Sequence, residues 1–188
     1  MPMAPPPDLS TLSLAEIARL AAEQKLPPVE RWNPDHCGDS EMRIARDGTW
    51  FHQGSPIGRV EMVRLFSTIL RREPDGGYVL VTPVEKLDIV VDDAPFVAVE
   101  LKMEGGGKQA TLAFRLNTGD VVAAGPDHPL RFRQRDDGPH PYLHVRAGLE
   151  ALVARAVYYD LAQIALAGDD DRPGVWSNGA FFALEPDA

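Results

Sequence analysis

The chain has 188 residues, of which 44% are hydrophobic and 25% are charged, a composition typical of a folded globular protein rather than a disordered or fibrous one. Its 28 acidic residues exceed its 19 basic residues, and the net charge of -9 disfavours binding to nucleic-acid backbones. A single cysteine excludes an internal disulfide. We find no signal peptide and no run of the roughly 18 apolar residues that a membrane span needs, and we therefore expect a cytoplasmic protein.

Residues 1–31 are predicted to form a proline-rich tail followed by a short helix. Ser13 and Glu16 have the spacing of a capping box, in which the two side chains bind free backbone N–H groups at a helix start. Pro27 and Pro28 end this helix, because the residue before a proline is pushed out of helical geometry.

The most informative stretch is residues 37–59, which leads into a helical pattern. Residues 41–44 and 49–52 read as the two strands of a hairpin around the turn formed by Asp47 and Gly48. Pro56 stops the second strand and is expected to begin a helix. Apolar residues at helical spacing then predict an amphipathic helix over residues 60–72.

The remaining chain alternates between strand and helix patterns. Strands are predicted at residues 78–81, 87–91, 96–102, 112–116, 131–135 and 142–146, a helix at 149–165 and a hairpin around 177–179. Residues 92–95 form a polar seam near the midpoint. The order strand, break, helix and two strands occurs on both sides of this seam, which favours a duplicated unit in which His52 and His144 hold equivalent positions.

Five segments carry a family resemblance. They are CGDSEMRIARDGTWFHQGSPIGR at residues 37–59, LVTPVEK at 80–86, DAPF at 93–96, NTGD at 117–120 and GVWSNG at 174–179. In this order they resemble the bacterial domain-of-unknown-function 1285 family. The resemblance implies a duplicated α+β core and a second half superficially like a pleckstrin-homology fold. It also implies a nucleotide-like ligand between the halves in a signalling role, and it brings no established catalytic activity.

The predicted fold class is therefore α+β, with two related halves that each pair a sheet with one main helix. We divide the chain into residues 1–31 as the tail and short helix, 32–93 as the first half and 94–188 as the second, pleckstrin-like half. A ligand site is predicted between the halves.

The ligand expected there is a small anion, because residues 55–59 combine backbone donors at a helix start with the charge of Arg59. Trp50 and Trp176 could offer flat faces to a ring, and Arg43 could supply a further positive charge. The predicted ligand-binding residues are Arg43, Trp50, His52, Arg59, Asn117, His144 and Trp176. No catalytic residue, metal ligand or cofactor is predicted, because the five histidines lack the spacing of a metal site.

Two alternatives remain open at this point. The chain could be a protein–protein adaptor that binds a partner without any small molecule. Less favoured is a hydrolase-type enzyme that uses His52 or Cys37 as base or nucleophile. Nearly all of these residue types also have ordinary structural roles in proteins, so their positions in the structure are needed to distinguish a ligand site from packing or surface residues.

Overall fold

The computed structural model describes residues 26–186, so the helix predicted at Ser13 lies outside the described residues. Within this range there are two helices, α1 (Val60–Thr68) and α2 (Arg155–Leu166). The strands are β1 (Cys37–Ile44), β2 (Trp50–His52), β3 (Ser55–Pro56), β4 (Leu70–Arg72), β5 (Tyr78–Val81), β6 (Lys86–Val91), β7 (Phe96–Glu104), β8 (Thr111–Leu116), β9 (Val121–Ala123), β10 (Leu130–Arg135), β11 (Gly138–Arg146), β12 (Leu149–Val153), β13 (Gly174–Ser177) and β14 (Ala180–Ala183). Short 3₁₀ turns occur at Val29–Arg31 and Gly107–Gln109.

The first sheet joins two three-stranded meanders side by side in the order β3-β2-β1-β6-β5-β4. Its strands run antiparallel except at the centre, where β1 and β6 are parallel. The predicted hairpin is confirmed, with Ile44 opposite Trp50. Helix α1 carries the chain from β3 at one edge of the sheet to β4 at the other edge.

The second sheet repeats this strand order, since β9-β8-β7-β12-β11-β10 is the first order with six added to each strand number. Its central parallel pair is β7 and β12. The predicted α+β fold with two related halves is therefore confirmed. The pleckstrin-homology likeness of the second half stays a prediction.

The halves differ in where the helix is placed, and this corrects one expectation. Helix α1 lies between the third and fourth strands of its half, whereas α2 follows the sixth strand. His52 lies on β2, the second strand of its half, and His144 lies on β11, the fifth strand. The predicted equivalence of these histidines is wrong, because it aligned the two halves on helices that occupy different places.

A short connection forces the second sheet to curl. Its edge strands β9 and β10 would lie roughly 24 Å apart in a flat six-stranded sheet, at about 4.8 Å per strand. Residues 124–129 join them, and Gly125 and His128 close a tight turn there through two backbone hydrogen bonds of 3.1 Å. Such a turn cannot span the flat distance. The two edges therefore approach each other, as the edges of a half-barrel do.

One apolar core serves both halves. A single cluster of buried side chains includes Ile44 and Trp50 from the first sheet and Phe96 and Phe114 from the second. Phe96 and Phe114 are fully buried, and 1% of Trp50 is exposed. Because the two sheets bury their apolar faces in the same core, we expect the halves to unfold as one cooperative unit.

Helix α1 is tied to the second half by polar contacts. The Nε of Arg64 donates to the carbonyl of Thr118 at 2.7 Å, and Arg146 donates to the carbonyl of Ser67 at 2.9 Å. The outer side of the helix is exposed and carries three apolar side chains, Val60, Met62 and Leu65, together with the charged Glu61.

Two predicted helices are too long because strand residues adjoin them. Helix α1 ends at Thr68, and Leu70–Arg72 turns back as β4 to pair with β5. Leu149–Val153 is the strand β12, which lies between β11 and β7 and is mostly buried, so its apolar run continues the pattern of α2.

The start of α1 also differs from the prediction. Ser55 and Pro56 pair with β2 as the short strand β3. The N-cap of α1 is Arg59, and no side chain caps the helix. Ser55 therefore does not cap α1. In the part of the chain that the structure describes, neither helix has the length and apolar character needed to cross a membrane.

Candidate functional site

The structure places the predicted charged residues of the first half on its surface. Arg43 is ion-paired with Asp92 at 2.6 Å, and its guanidinium lies 5.5 Å from the centre of the Phe51 ring. The hydrogen bond from Arg43 lowers the pKa of the Asp92 carboxyl. His52 and Arg59 are both exposed.

Trp50, Asn117 and His144 instead have structural contacts. Trp50 packs against Phe66 in the core, and its indole N–H has no acceptor among the described residues. Asn117 joins the halves, since its Oδ1 accepts the N–H of Val97 at 3.0 Å and its Nδ2 donates to the carbonyl of Gly48 at 3.3 Å.

The ring of His144 is bonded on both nitrogens. Its Nδ1 lies 3.2 Å from the carbonyl of Asp127, and its Nε2 lies 3.2 Å from the N–H of Gly148. A carbonyl can only accept and an N–H can only donate, so these contacts fit a neutral ring that carries its proton on Nδ1. His144 is therefore occupied in holding the turn after β11.

The seam between the halves is rich in arginine, but the arginines there are bonded to protein acceptors. Besides Arg64 and Arg146, Arg72 donates to the carbonyl of Gly148 at 3.2 Å. Burial lowers the pKa of Arg146, whose guanidinium also lies 5.3 Å from the centre of the Phe96 ring. These groups fasten one half to the other through neutral carbonyl acceptors, so at least one N–H of each guanidinium is engaged within the protein.

A second seam contact is built around Asp93, whose side chain is 6% exposed. The Tyr142 hydroxyl donates to this carboxylate at 2.8 Å, and Arg135 binds both Asp93 and the Tyr142 oxygen. Arg46, from the first hairpin, approaches Asp93 at 3.7 Å. Burial and the hydrogen bond to Asp93 raise the pKa of Tyr142.

The seventh predicted residue, Trp176, lies in a different place. It lines a cavity of about 770 Å³ in the second half, between the end of α2, the glycine-rich turn after β7 and strand β13. We call this the Trp176 cavity. Its walls are made by Met103, Gly106, Gly107, Lys108, Ala110, Gln163, Ile164, Ala167, Gly168, Asp169, Asp170, Gly174, Val175 and Trp176.

The indole ring of Trp176 is fixed on several sides. Its Nε1 donates to Asp170 at 3.0 Å, and the Phe181 ring packs against it with 5.4 Å between ring centres. A Cβ at Gly174 would lie 2.3 Å from Phe181, so only glycine permits this packing. The Lys108 Nζ lies 5.5 Å from the centre of the Trp176 ring, within the range of a cation–π contact.

The hairpin that carries Trp176 is pinned to the second sheet by Ser177, which is fully buried. The Ser177 hydroxyl donates to the carbonyl of Ala124 at 2.7 Å and accepts the N–H of Leu112 at 2.8 Å. Asn178 donates to the same carbonyl at 2.9 Å. The segment GVWSNG thus sets the position of one wall of the cavity.

Acidic groups surround this cavity at the end of α2. Asp169 and Asp170 follow the last turn of the helix, where Ile164 and Ala167 also line the wall. The C-terminal end of a helix carries a partial negative charge. A second depression of about 430 Å³, the Tyr159 hollow, shares Met103, Gln163 and Ile164 with the cavity and adds Leu101, Tyr159 and Asp160.

The titratable residues that line the Trp176 cavity in the described chain are Lys108, Asp169 and Asp170, and the lining contains no histidine, serine or cysteine. Across the described residues, no three His, Cys, Asp or Glu side chains are grouped so that they could hold a metal ion. Cys37 is exposed at the start of β1.

Sequence reasoning found Trp176 but missed the residues around it. Lys108, Asp169 and Asp170 lie in the segments EGGGK and GDDD, which read as simple breaks between elements. Each of these segments follows the end of a strand or helix, which is the one sequence signal that could have pointed to them. That Lys108 lies near Asp169 and Asp170, however, depends on how α2 packs on β7 and β13. Of the seven predicted residues, the structure brings only Trp176 to this cavity.

Comparisons with known proteins identify the same two halves. Residues 27–94 match the family model "Domain of unknown function (DUF1285), N-terminal domain", and residues 95–184 match "Protein of unknown function (DUF1285), C-terminal domain". A solved DUF1285 family protein from Silicibacter pomeroyi is 49% identical, with a TM-score of 0.80 over 93% of this chain and 95% of that chain. Another, from Shewanella baltica, is 27% identical, with a TM-score of 0.52 over 65% of this chain and 90% of that chain. No curated protein matches the chain.

Proposed function

The chain belongs to the DUF1285 family, and we propose that it is a small-molecule-binding module whose ligand occupies the Trp176 cavity. The observation that carries this proposal is a cavity of about 770 Å³ with a fixed indole ring in its wall. This size lies in the range of about 300–1,000 Å³ that is usual for sites of small ligands. The mixture of apolar walls and a few charged groups is also typical of such sites.

The cavity supports this function better than the seam does. The seam guanidiniums of Arg64, Arg72 and Arg146 bind backbone carbonyls of the other half. A ligand that displaced these hydrogen bonds would weaken the contact between the halves. A ligand in the Trp176 cavity would instead find Lys108 as a movable side chain at the rim. A binding protein without a reaction of its own fits a signalling role, in which occupancy of the site changes what the protein contacts.

Tryptophan side-chain NMR tests this proposal directly. In nitrogen-labelled protein, a library of fragments should contain compounds that shift the indole N–H signal of Trp176, assigned by Trp176→Phe, while the signal of Trp50 stays fixed as an internal control. A library in which no compound moves the Trp176 signal would contradict the proposal, as would binders that move other regions of the protein only.

A cavity-filling variant adds a matched control. A Cβ built on Gly106, in the cavity wall, meets no atom within 4 Å, so Gly106→Leu should fold and occupy part of the cavity. Gly58 has equally open surroundings but lies in the loop before α1. We expect Gly106→Leu to weaken fragment binding at least tenfold and Gly58→Leu to leave it unchanged. Equal binding by both variants would place the ligand elsewhere.

One observation favours an adaptor as a second function. The exposed side chains of α1 are apolar apart from Glu61, and among them Val60 is 53% and Leu65 is 63% exposed. A protein partner with a matching apolar surface could cover them. Leu65→Glu should then abolish co-purification of a stoichiometric partner, whereas Leu166→Glu, at a still more exposed leucine of α2, should not. Loss in both variants, or in neither, would argue against this role.

A further inference from the structure

The Trp176 cavity already holds a cationic group in the described structure, and this group belongs to the protein itself. The Lys108 ammonium lies over the indole ring at 5.5 Å from its centre. The electron-rich face of an indole attracts cations more strongly than the face of other aromatic side chains does. The indole N–H donates to the Asp170 carboxylate, which increases the electron density of the ring. Lys108 therefore occupies the place that a ligand cation would take.

The charge around the ring is negative once Lys108 is set aside. Asp169 and Asp170 line the cavity, against the single positive charge of Lys108. The last turn of α2 adds the negative end of the helix dipole. An anion entering this cavity would be repelled by two carboxylates, whereas a cation would be attracted by them.

The negative charge continues along α2 into the Tyr159 hollow. Asp160 and the ring of Tyr159 lie there, beyond an apolar stretch made by Leu101, Met103 and Ile164. Asp160 and Ala167 are separated by seven residues of α2, a distance of roughly 10 Å along the helix axis. The groove therefore has an acidic and aromatic group at each end and an apolar middle. At the Tyr159 end, however, Arg155 donates to the Tyr159 hydroxyl at 3.0 Å and its guanidinium lies 5.7 Å from the ring centre, so the Asp160 carboxylate and not the ring is the group that would receive a second ammonium.

We propose that the ligand of this groove is a linear aliphatic diamine or polyamine. One ammonium group would sit on the Trp176 ring beside Asp169 and Asp170 in place of Lys108, the methylene chain would cross the apolar middle, and a second ammonium would reach Asp160. This inference rests on the proposed small-molecule function and gives the chemical class of its ligand. It reverses the sign of the charge that sequence reasoning assigned to the ligand.

Calorimetry with spermidine and full-length protein tests the ligand class. We expect one binding site per chain, with affinity that falls as salt is raised, because ion pairing at an exposed rim is screened. Lys108→Met should strengthen spermidine binding roughly two- to fivefold, since the internal competitor for the Trp176 face is removed. An anionic ligand would respond in the opposite direction, because the same change removes its positive partner.

The acidic residues provide paired variants. Asp169→Asn, in the cavity wall, should weaken spermidine binding roughly two- to fivefold, the usual worth of one exposed ion pair. Asp171→Asn removes the same charge from the same loop outside the cavity wall and should have no effect at physiological salt. Gly106→Leu, which fills part of the Trp176 cavity, should weaken spermidine binding at least tenfold.

Specific results would overturn the inference. Several weak sites per chain that Gly106→Leu does not change would show that spermidine binds the acidic surface as a whole. Weaker binding in Lys108→Met would show that the site prefers anions. If neutral or anionic fragments shift the Trp176 signal but spermidine does not, the ligand class is wrong and the small-molecule function stands. If nothing shifts that signal, the function itself fails.

Discussion

Replacing Tyr142 by phenylalanine should destabilise the junction of the two halves by a measurable amount. Tyr142 is 1% exposed, and its hydroxyl lies 2.9 Å and 2.8 Å from the two carboxylate oxygens of Asp93. Phenylalanine keeps the buried ring and removes one donor from a carboxylate that is 6% exposed.

The magnitude follows from what remains around Asp93. A hydrogen bond to a charged group contributes about 1.5–3 kcal/mol to stability. Arg135 and Arg46 still hold the carboxylate after the substitution, but their side chains are 41% and 49% exposed, so solvent screens much of their attraction. We expect a loss of about 2 kcal/mol in the free energy of unfolding, which for a chain of this size lowers the melting temperature by roughly 4–8 °C.

Urea denaturation provides the assay. The midpoint of unfolding should fall while the slope with denaturant is unchanged, because the same surface is exposed on unfolding. A double-mutant cycle with Asp93→Asn should give a coupling energy of about 1–2 kcal/mol between the two side chains. A loss below about 0.5 kcal/mol in Tyr142→Phe would refute the view that this hydroxyl holds the seam, given the value expected for such a bond.

Three further predictions concern the buried framework. Burial raises the pKa of the Tyr78 hydroxyl, so above pH ~10 the unfolded chain loses the hydroxyl proton before the folded chain does, and the free energy of unfolding falls as pH rises. Tyr78→Phe should make that decline shallower in denaturation experiments run from neutral to alkaline pH. Gly48→Ala should cost more stability in thermal unfolding than Gly54→Ala, because both glycines have positive φ but only at Gly48 would a Cβ collide, at 2.6 Å from Asn117. If the two losses in free energy of unfolding differ by less than about 1 kcal/mol, steric overlap at Gly48 is not the cause. Ser177→Ala leaves the buried N–H of Leu112 without its acceptor, while Asn178 still donates to the carbonyl of Ala124, and should cost about 1–3 kcal/mol in urea unfolding.

Most strands could be predicted because their patterns are local. The hairpin of residues 41–52 has a turn signal at Gly48 between an alternating strand and a strand rich in strand-forming residues, and the structure confirms the hairpin, with Ile44 opposite Trp50. The strand Leu149–Val153 could not be separated from α2. Central strands are apolar on both faces, and their residues merge with an adjoining helical pattern when no capping side chain marks the start of the helix.

The candidate site was harder to predict because it depends on long-range packing. Trp176 meets Lys108 across 68 residues of chain, and neither segment reveals the other. Arg43, which was predicted to supply positive charge to an anion site, has a partner that is invisible in sequence, the carboxylate of Asp92 at 2.6 Å. The residue type was thus informative about charge, but only the three-dimensional contact shows that this charge is paired within the protein.

The parallel pairing at the centre of each sheet has a mechanical consequence. In both halves the first and last strands lie side by side and run in the same direction, β1 with β6 and β7 with β12. Tension applied to the two ends of either half would slide these strands past each other and strain all of their hydrogen bonds together, whereas pulling apart a hairpin breaks its bonds one after another. Each half should accordingly resist stretching in single-molecule force measurements more strongly than its modest size suggests, with the longer β1–β6 ladder yielding at the higher force.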